Sequence, residues 1–255
     1  MGLYVERYAN ADKPELVLLH GWGMDSQVWG GFAEALSSYF TLTLIDLPGL
    51  GRSTGFPEPY RADAVVDMLV AQVPKRAVWL GWSMGGQVAI EFAAQHPERV
   101  QGLITVASNP CFVQRSDWPC AMSEATHQQF EQSLVSNVNK TLQRFIMLQT
   151  QGAEAGRDTL KQLKRILKAQ AHAAPIQSLQ LLREDARPQL AALTMPVMQL
   201  FGDKDLLVPS AAAQACGQLS KGEIKVYEGA GHLPFYSHQA EVVDDVVRFV
   251  QESIV

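Results

Sequence analysis

Ala77-Val78-Trp79-Leu80-Gly81-Trp82-Ser83-Met84-Gly85-Gly86-Gln87-Val88-Ala89-Ile90-Glu91-Phe92 begins as a short apolar run and continues as an amphipathic one, with Gly-x-Ser-x-Gly at the joint. The run Ala77 to Leu80 predicts a strand buried on both faces, and Gly86 to Gln95 predicts a helix. Glycines two residues either side of Ser83 let the chain turn sharply without Cβ clashes. The Ser83 hydroxyl then projects from the turn. The Met84 N–H falls at a helix N-terminus, where donors lack intrahelical partners. A plain Gly-rich turn with a capping serine would share the pentapeptide. The flanking strand and helix point instead to a nucleophile set beside an oxyanion donor.

The same alternation extends in both directions. Leu16 to Leu19, Thr41 to Ile45, Leu103 to Val106, Val197 to Phe201 and Ile224 to Tyr227 are further short apolar runs bounded by Gly, Pro, Asp or Asn. Gln27 to Leu36, Arg61 to Gln72, Ala211 to Gln218 and Ala240 to Gln251 are amphipathic. The pattern predicts an α/β fold, a mostly parallel sheet flanked by helices. From Cys111 to about Arg187 the strand signal stops. Ser123 to Leu134, Val138 to Gln149, Ala153 to Gln170 and Pro175 to Leu182 all read as helical. The expected organisation is a core of residues 1–111 and 188–255, with an all-helical cap, residues 112–187, inserted after one strand.

Composition narrows the function classes. With 255 residues and 47% apolar side chains, the chain suits one large domain carrying an insertion and is not disordered. No stretch approaches the roughly 18 apolar residues of a membrane helix, and no membrane association is expected. Three widely spaced cysteines, Cys111, Cys120 and Cys216, suggest neither a disulfide framework nor a zinc site. The N-terminus lacks a secretory pattern, so a reducing cytoplasm is the expected compartment. The net charge of −5 argues against nucleic acid as a partner. The charge is uneven, however. Residues 112–187 carry ten Lys/Arg against seven Asp/Glu, so a basic segment lies inside an acidic protein.

A serine at its ordinary pKa needs a base, and the base needs an orienting acid. His232 lies in the Gly-rich loop Gly229-Ala230-Gly231-His232-Leu233-Pro234, after the last predicted strand. The C-terminal ends of strands are where an α/β sheet places its chemistry. His96 precedes a proline at a helix end and reads as structural; His127, His172 and His238 read as surface residues. Two carboxylates, Asp203 and Asp205, follow a predicted buried strand, and the bare sequence does not choose between them. His20-Gly21-Trp22-Gly23 follows the first predicted parallel strand, so the Trp22 N–H is the candidate second oxyanion donor. Trp22, Trp82, Phe145, Met147, Leu148, Leu207 and Leu233 are candidates for the wall of an acyl pocket.

Together these pieces resemble the α/β-hydrolase fold family. Leu18-Leu19-His20-Gly21-Trp22-Gly23, Asp46-Leu47-Pro48-Gly49-Leu50-Gly51-Arg52-Ser53 and His96-Pro97-Glu98-Arg99-Val100 extend the likeness, which spans about 16–110 and 190–255. In that family the acid usually stands three residues after the Gly that ends its strand. The register Gly202 to Asp205 fits, and Asp203 does not. The order nucleophile, acid, histidine is then Ser83, Asp205, His232. Ala107-Ser108-Asn109-Pro110-Cys111-Phe112, Asp117-Trp118-Pro119 and Arg144-Phe145-Ile146-Met147-Leu148-Gln149-Thr150 further resemble the BioH-type family of pimeloyl-[acyl-carrier protein] methyl ester esterases of biotin synthesis. The resemblance implies a serine carboxylesterase that cleaves the methyl ester and leaves the carrier thioester intact. It implies substrate contacts at Trp22, Ser83, Met84, Phe145, Ile146, Met147, Leu148, Gln149 and His232, with no metal or cofactor. Two departures are Met84, where a Leu is usual, and the acid loop Gly202-Asp203-Lys204-Asp205.

The basic segment fits the same resemblance. Lys140 and Arg144 share a helix face, and Arg157, Lys161, Lys164, Arg165 and Lys168 fall within about a 100° arc of another helix. Carrier proteins are acidic, and such a stripe would steer and dock one. Lys140, Arg144, Arg157 and Lys161 stand where the family carries carrier-binding arginines; the two lysines keep the charge but lose the guanidinium fork. A monomer is expected. The alternatives are a general short-chain carboxylesterase or other capped hydrolase with a small soluble substrate, and a non-catalytic receptor on the same fold. Replacing Ser83 by Ala is expected to cut ester turnover by roughly three orders of magnitude or more while the protein stays folded. Steady-state assay of a chromogenic ester, alongside active-site phosphonate labelling, checks this; retained turnover would count against Ser83 as nucleophile.

Overall fold

The computed structural model describes residues 2–10, 12–154, 156–169 and 172–254. Seven strands, β1 (Val5–Tyr8), β2 (Glu15–Leu19), β3 (Thr41–Ile45), β4 (Ala77–Trp82), β5 (Val100–Val106), β6 (Val197–Gly202) and β7 (Glu223–Tyr227), form one sheet. Its order is β1-β3-β2-β4-β5-β6-β7, parallel throughout except for β1, which runs antiparallel on β3. The helices in chain order are α1 (Gly30–Ser37), α2 (Ala62–Leu69), α3 (Met84–Gln95), α4 (Glu124–Ser136), α5 (Val138–Thr150), α6 (Gly156–Ala169), α7 (Pro175–Leu179), α8 (Arg187–Ala192), α9 (Ala211–Ser220), α10 (Pro234–Ser237) and α11 (Gln239–Ser253).

The interior strands β2, β3 and β4 are almost wholly buried, as their unbroken apolar runs require. Alternate residues divide between two apolar layers. Leu16, Leu18, Val78 and Leu80 pack with Phe32 and Leu36 of α1 and with Val246 and Phe249 of α11. Val17, Leu19, Ala77 and Trp79 pack with Val66 of α2 and with Val88 and Phe92 of α3. The sheet therefore has helices on both faces, the α/β-hydrolase arrangement expected from the sequence.

The chain leaves β2 toward β3 on one side, while β4 lies on β2's other side. Their C-terminal ends consequently diverge around a crevice, the topological switch point where such sheets bind ligands. His20 to Gly23 leaves β2 at that crevice, and the Ser83 turn leaves β4 beside it. Four elements differ from the sequence reading. Strand β1 carries no alternation and has a half-exposed edge, so its sequence gave no strand signal. Helices α8 and α10 are too short for a helical period. The predicted helix Ala153–Gln170 begins at Gly156; Ala155 and Gln170 lie outside the described residues.

Between β5 and β6 the chain forms α4 to α8. This stretch is tied to the sheet-bearing part by main-chain contacts. The Gly51 N–H donates to His172 Nδ1 (3.1 Å), the Ala174 N–H to the Gly49 carbonyl (2.9 Å), and the Trp22 indole N–H to the Pro175 carbonyl (3.1 Å). His172 is therefore a half-buried tie, not the surface residue expected. Burial, with His20 close by, pushes its pKa down to about 4. His127 is also not on the surface: it is 2% exposed, with Nδ1 3.0 Å from the Arg183 guanidinium. His238 is half-buried against Tyr227.

Because the unfolded chain protonates His172 near pH 6.5 and the folded chain near 4, the unfolded state binds more protons between those values. Stability is expected to fall as pH drops from about 6.5 to about 4, and His172→Asn should flatten that fall. Urea midpoints across the window check it; an unchanged slope in the variant would contradict it.

Candidate active site

Ser83 occupies the turn between β4 and α3 with φ 54° and ψ −121°, a left-handed backbone rare for a residue bearing a Cβ. Such conformations cost about 1–3 kcal/mol and persist only where surroundings over-determine them. Here the Ser83 N–H donates to the Val106 carbonyl at the end of β5 (2.9 Å), and the Ser83 carbonyl accepts from Ser108 Oγ (2.8 Å) and the Gly86 N–H (2.9 Å). Gly81 and Gly85 are dictated by crowding. A Cβ on Gly81 would overlap the Gly85 carbonyl, and one on Gly85 would overlap the carbonyls of Leu19 and His20.

His232 lies in the loop after β7 and is 1% exposed. Its Nδ1 is 2.7 Å from Asp205 Oδ2, and both side chains are almost fully buried. The other Asp205 oxygen accepts the N–H groups of Leu207 (2.8 Å) and Val208 (3.0 Å), so the carboxylate is aimed by its own loop. With the acid ionised, Nδ1 carries the proton and Nε2 is left as the basic nitrogen. Asp203 turns elsewhere. It accepts the Gly229 N–H (2.7 Å) and pairs with Lys204 (2.8 Å), which holds its carboxyl below the usual range. Geometry thus separates the two carboxylates that the bare sequence left open.

Neither the Ser83 hydroxyl nor His232 Nε2 has a hydrogen-bond partner among the described residues. They are neighbours through Trp82, whose ring centroid lies 5.5 Å from that of the imidazole. Catalytic hydrogen bonds of this kind commonly tighten only with substrate bound.

The loop after β2 presents the other candidate donor. His20 is fully buried; its Nε2 accepts the Leu47 N–H (2.8 Å), so Nδ1 is the protonated nitrogen and donates to the Gly21 carbonyl (2.8 Å). Burial lowers the His20 pKa and keeps the ring neutral. The Met24 N–H donates to the same carbonyl (3.3 Å). In a trans peptide the Gly21 carbonyl and the Trp22 N–H point in opposite directions, so fixing one aims the other. The Trp22 and Met84 N–H groups donate to no protein group among the described residues. The sequence reading used His20 only as part of a motif and missed this orienting contact; a histidine directly before Gly-Trp-Gly was the available signal.

Helix α5 divides the expected substrate contacts. Phe145 packs edge-on against Trp22 (5.0 Å between ring centroids), with Phe130 of α4 on the same indole (5.3 Å). Gln149 is buried, and its carbonyl accepts the His232 N–H (3.3 Å). Phe145 and Gln149 are one turn apart and face the same side. Ile146 faces the apolar layer that contains Leu163, and Leu148 is half-buried. Met147 is 52% exposed and lines outer grooves, so it does not join the expected wall. Period 3.6 makes a contiguous run of five contacts on one helix face impossible.

Lys140, Arg144, Arg157 and Lys161 are all exposed and make no ion pair among the described residues. Arg157, Lys161, Lys164, Arg165 and Lys168 line one open cavity of about 1060 Å³, with Leu142, Leu160 and Leu167 as apolar wall. Lys140 and Arg144 lie on α5 and are not among its lining residues.

Residues 16–245 match the family model of the Alpha/beta hydrolase family. The chain is 45% identical to the pimeloyl-[acyl-carrier protein] methyl ester esterase of Edwardsiella ictaluri, covering 89% of this chain and 90% of that protein. It is 42% identical to the protein of the same name from Proteus mirabilis, covering 92% of each. Among solved structures, an esterase from Exiguobacterium antarcticum superposes with a TM-score of 0.86 at 21% identity, covering 98% of this chain and 96% of that one, and supports the fold alone. The chain belongs to the alpha/beta hydrolase family and, within it, to the family of these methyl ester esterases.

Asp205→Ala is expected to lower kcat on a small ester roughly 10³- to 10⁴-fold, while Asp203→Asn changes it less than about tenfold. Parallel kinetics on the two variants check the assignment; the reverse ranking would overturn it.

Proposed function

We infer that the chain is a serine carboxylesterase that hydrolyses the methyl ester of pimeloyl-[acyl-carrier protein], releasing methanol and pimeloyl-[acyl-carrier protein] in biotin synthesis. The observation that carries this reading is the 2.7 Å Asp205–His232 contact beside the Ser83 turn, in a chain 41–45% identical to esterases of that name. His232, held by Asp205, takes the proton of Ser83 as Oγ attacks the ester carbonyl. The tetrahedral oxyanion is held by the N–H groups of Trp22 and Met84, each such donor being typically worth about 10²–10³ in rate. His232 then protonates the departing methanol. Water, deprotonated by the same imidazole, attacks the acyl-enzyme and releases the carboxylic acid. These steps draw on protein groups and water alone.

The acyl-carrier protein is the proposed partner, and residues 112–187 the proposed cap that receives it. The support is chemical: cations without ion-pair partners among the described residues, on two adjacent helices, face solvent in an otherwise acidic chain. Lys140, Arg144, Arg157 and Lys161 are the proposed docking set, with Trp22, Phe145 and Gln149 bordering the acyl chain. Exposed charge of this kind steers association more than it stabilises the fold. Reversing Arg144 and Arg157 to Glu is expected to raise KM for the carrier-bound ester about tenfold or more and to leave KM for a small free ester within about twofold. Kinetics on both substrates test this; an equal effect on both, or none on either, would sink the docking assignment. Restoring growth without biotin to a strain lacking its own esterase tests the activity itself.

A further inference from the structure

The His232 main chain is gripped from two sides, and one grip comes from the residue next to the nucleophile. The Trp82 indole N–H donates to the His232 carbonyl at 2.8 Å, with both groups buried. An indole N–H is a donor only, and leaving it buried without an acceptor is costly, so the ring is held with its N–H on this carbonyl. The second grip is the Gln149 carbonyl, which receives the His232 N–H.

The rest of the Trp82 ring is equally constrained. It stands edge-on to Phe235 (5.5 Å between centroids) and tilted against the His232 imidazole (5.5 Å). It also lies so close to the loop after β2 that a Cβ added to Gly21 would come within 3.0 Å of Cε3. One side chain thus bridges the three parts of the site. It is covalently joined to Ser83, hydrogen-bonded to the loop carrying the base, and packed under the loop carrying the Trp22 N–H.

We propose that Trp82 is a positioning residue: its indole N–H sets the spacing between Ser83 and His232. This rests on the reading of those two residues as nucleophile and base. Asp205 fixes how the imidazole is rotated, but it reaches Ser83 only by way of the separate loop after β6. Gln149 belongs to α5. Among the described residues, Trp82 alone makes a hydrogen bond from the nucleophile's own turn to the residue that must take its proton. Since Nε2 and Oγ have no hydrogen-bond partner among the described residues, their approach in the reacting complex depends on that scaffold. Misplacement on the ångström scale is enough to cost large factors in rate.

The test replaces Trp82 by 3-benzothienylalanine, which keeps the bicyclic shape and exchanges the N–H for sulfur. Trp82→Phe serves as a second, smaller ring without a donor. With p-nitrophenyl acetate, the isosteric variant is expected to lose about tenfold or more in kcat with KM within about twofold and an unchanged thermal midpoint. Labelling of Ser83 by a fluorophosphonate should slow in parallel. A kcat within twofold of the parent in either variant overturns the proposal, as does a loss in the isostere that raises KM by as much as it lowers kcat. Failure of the nucleophile reading would look different: the fluorophosphonate would then not label Ser83 even in the parent protein.

Discussion

The carbonyl oxygens of Leu19 and His20 lie against Gly85, where no side-chain atom fits between β2 and the start of α3. Much of the site depends on that close approach. It draws the first turn of α3 under the end of β2, bringing the Met84 N–H into the neighbourhood of the loop that carries the Trp22 N–H. It also obliges the chain to reverse within a few residues of β4, which leaves Ser83 at φ 54°. The strain is held by hydrogen bonds to Val106, Ser108 and Gly86, so the tension in the turn is balanced by the neighbouring strand end.

Around this point the polar groups are arranged in pairs with one side fixed and one side free. His20 spends both ring nitrogens on main-chain partners and thereby aims a peptide. Asp205 commits one oxygen to its own loop and the other to His232. Among the described residues, the hydroxyl of Ser83, Nε2 of His232 and the N–H groups of Trp22 and Met84 have no hydrogen-bond partner. These are the groups an acyl transfer would need, and burial makes each of them more effective toward a reacting partner than it would be in water.

The helices between β5 and β6 add a second layer with a different physical character. Their inner faces are aromatic and aliphatic, with Phe130 and Phe145 against Trp22, and their outer faces carry the cations of α5 and α6. They are tied to the sheet by hydrogen bonds at His172, Ala174 and Pro175 and by apolar residues, Ile146 and Leu163 in one layer and Leu134, Leu142 and Phe145 in the other, that join the two layers of the sheet.

The six strands β2 to β7, the helices that cover them and the residues Ser83 and His232 were legible along the chain, because period, glycine spacing and strand–turn–helix order are local properties. Strand β1 was not, since Val5-Glu6-Arg7-Tyr8 carries neither an apolar run nor an alternation. The choice between Asp203 and Asp205 was undetermined by the bare residues and needed either a family register or coordinates. Both follow the same strand, and only the path of the loop decides which carboxylate meets the imidazole. His127 and His172 were misread as surface residues because their burial comes from segments far away in sequence: Arg183 against one, Gly51 against the other. The same holds for Met147, placed on the outside of α5 by helical rotation within a run that reads as uniformly apolar. The amino-acid order alone thus determined the fold class and the chemistry on offer. Tertiary structure decided which groups meet, because contacts between loops distant in sequence leave no periodic trace in it.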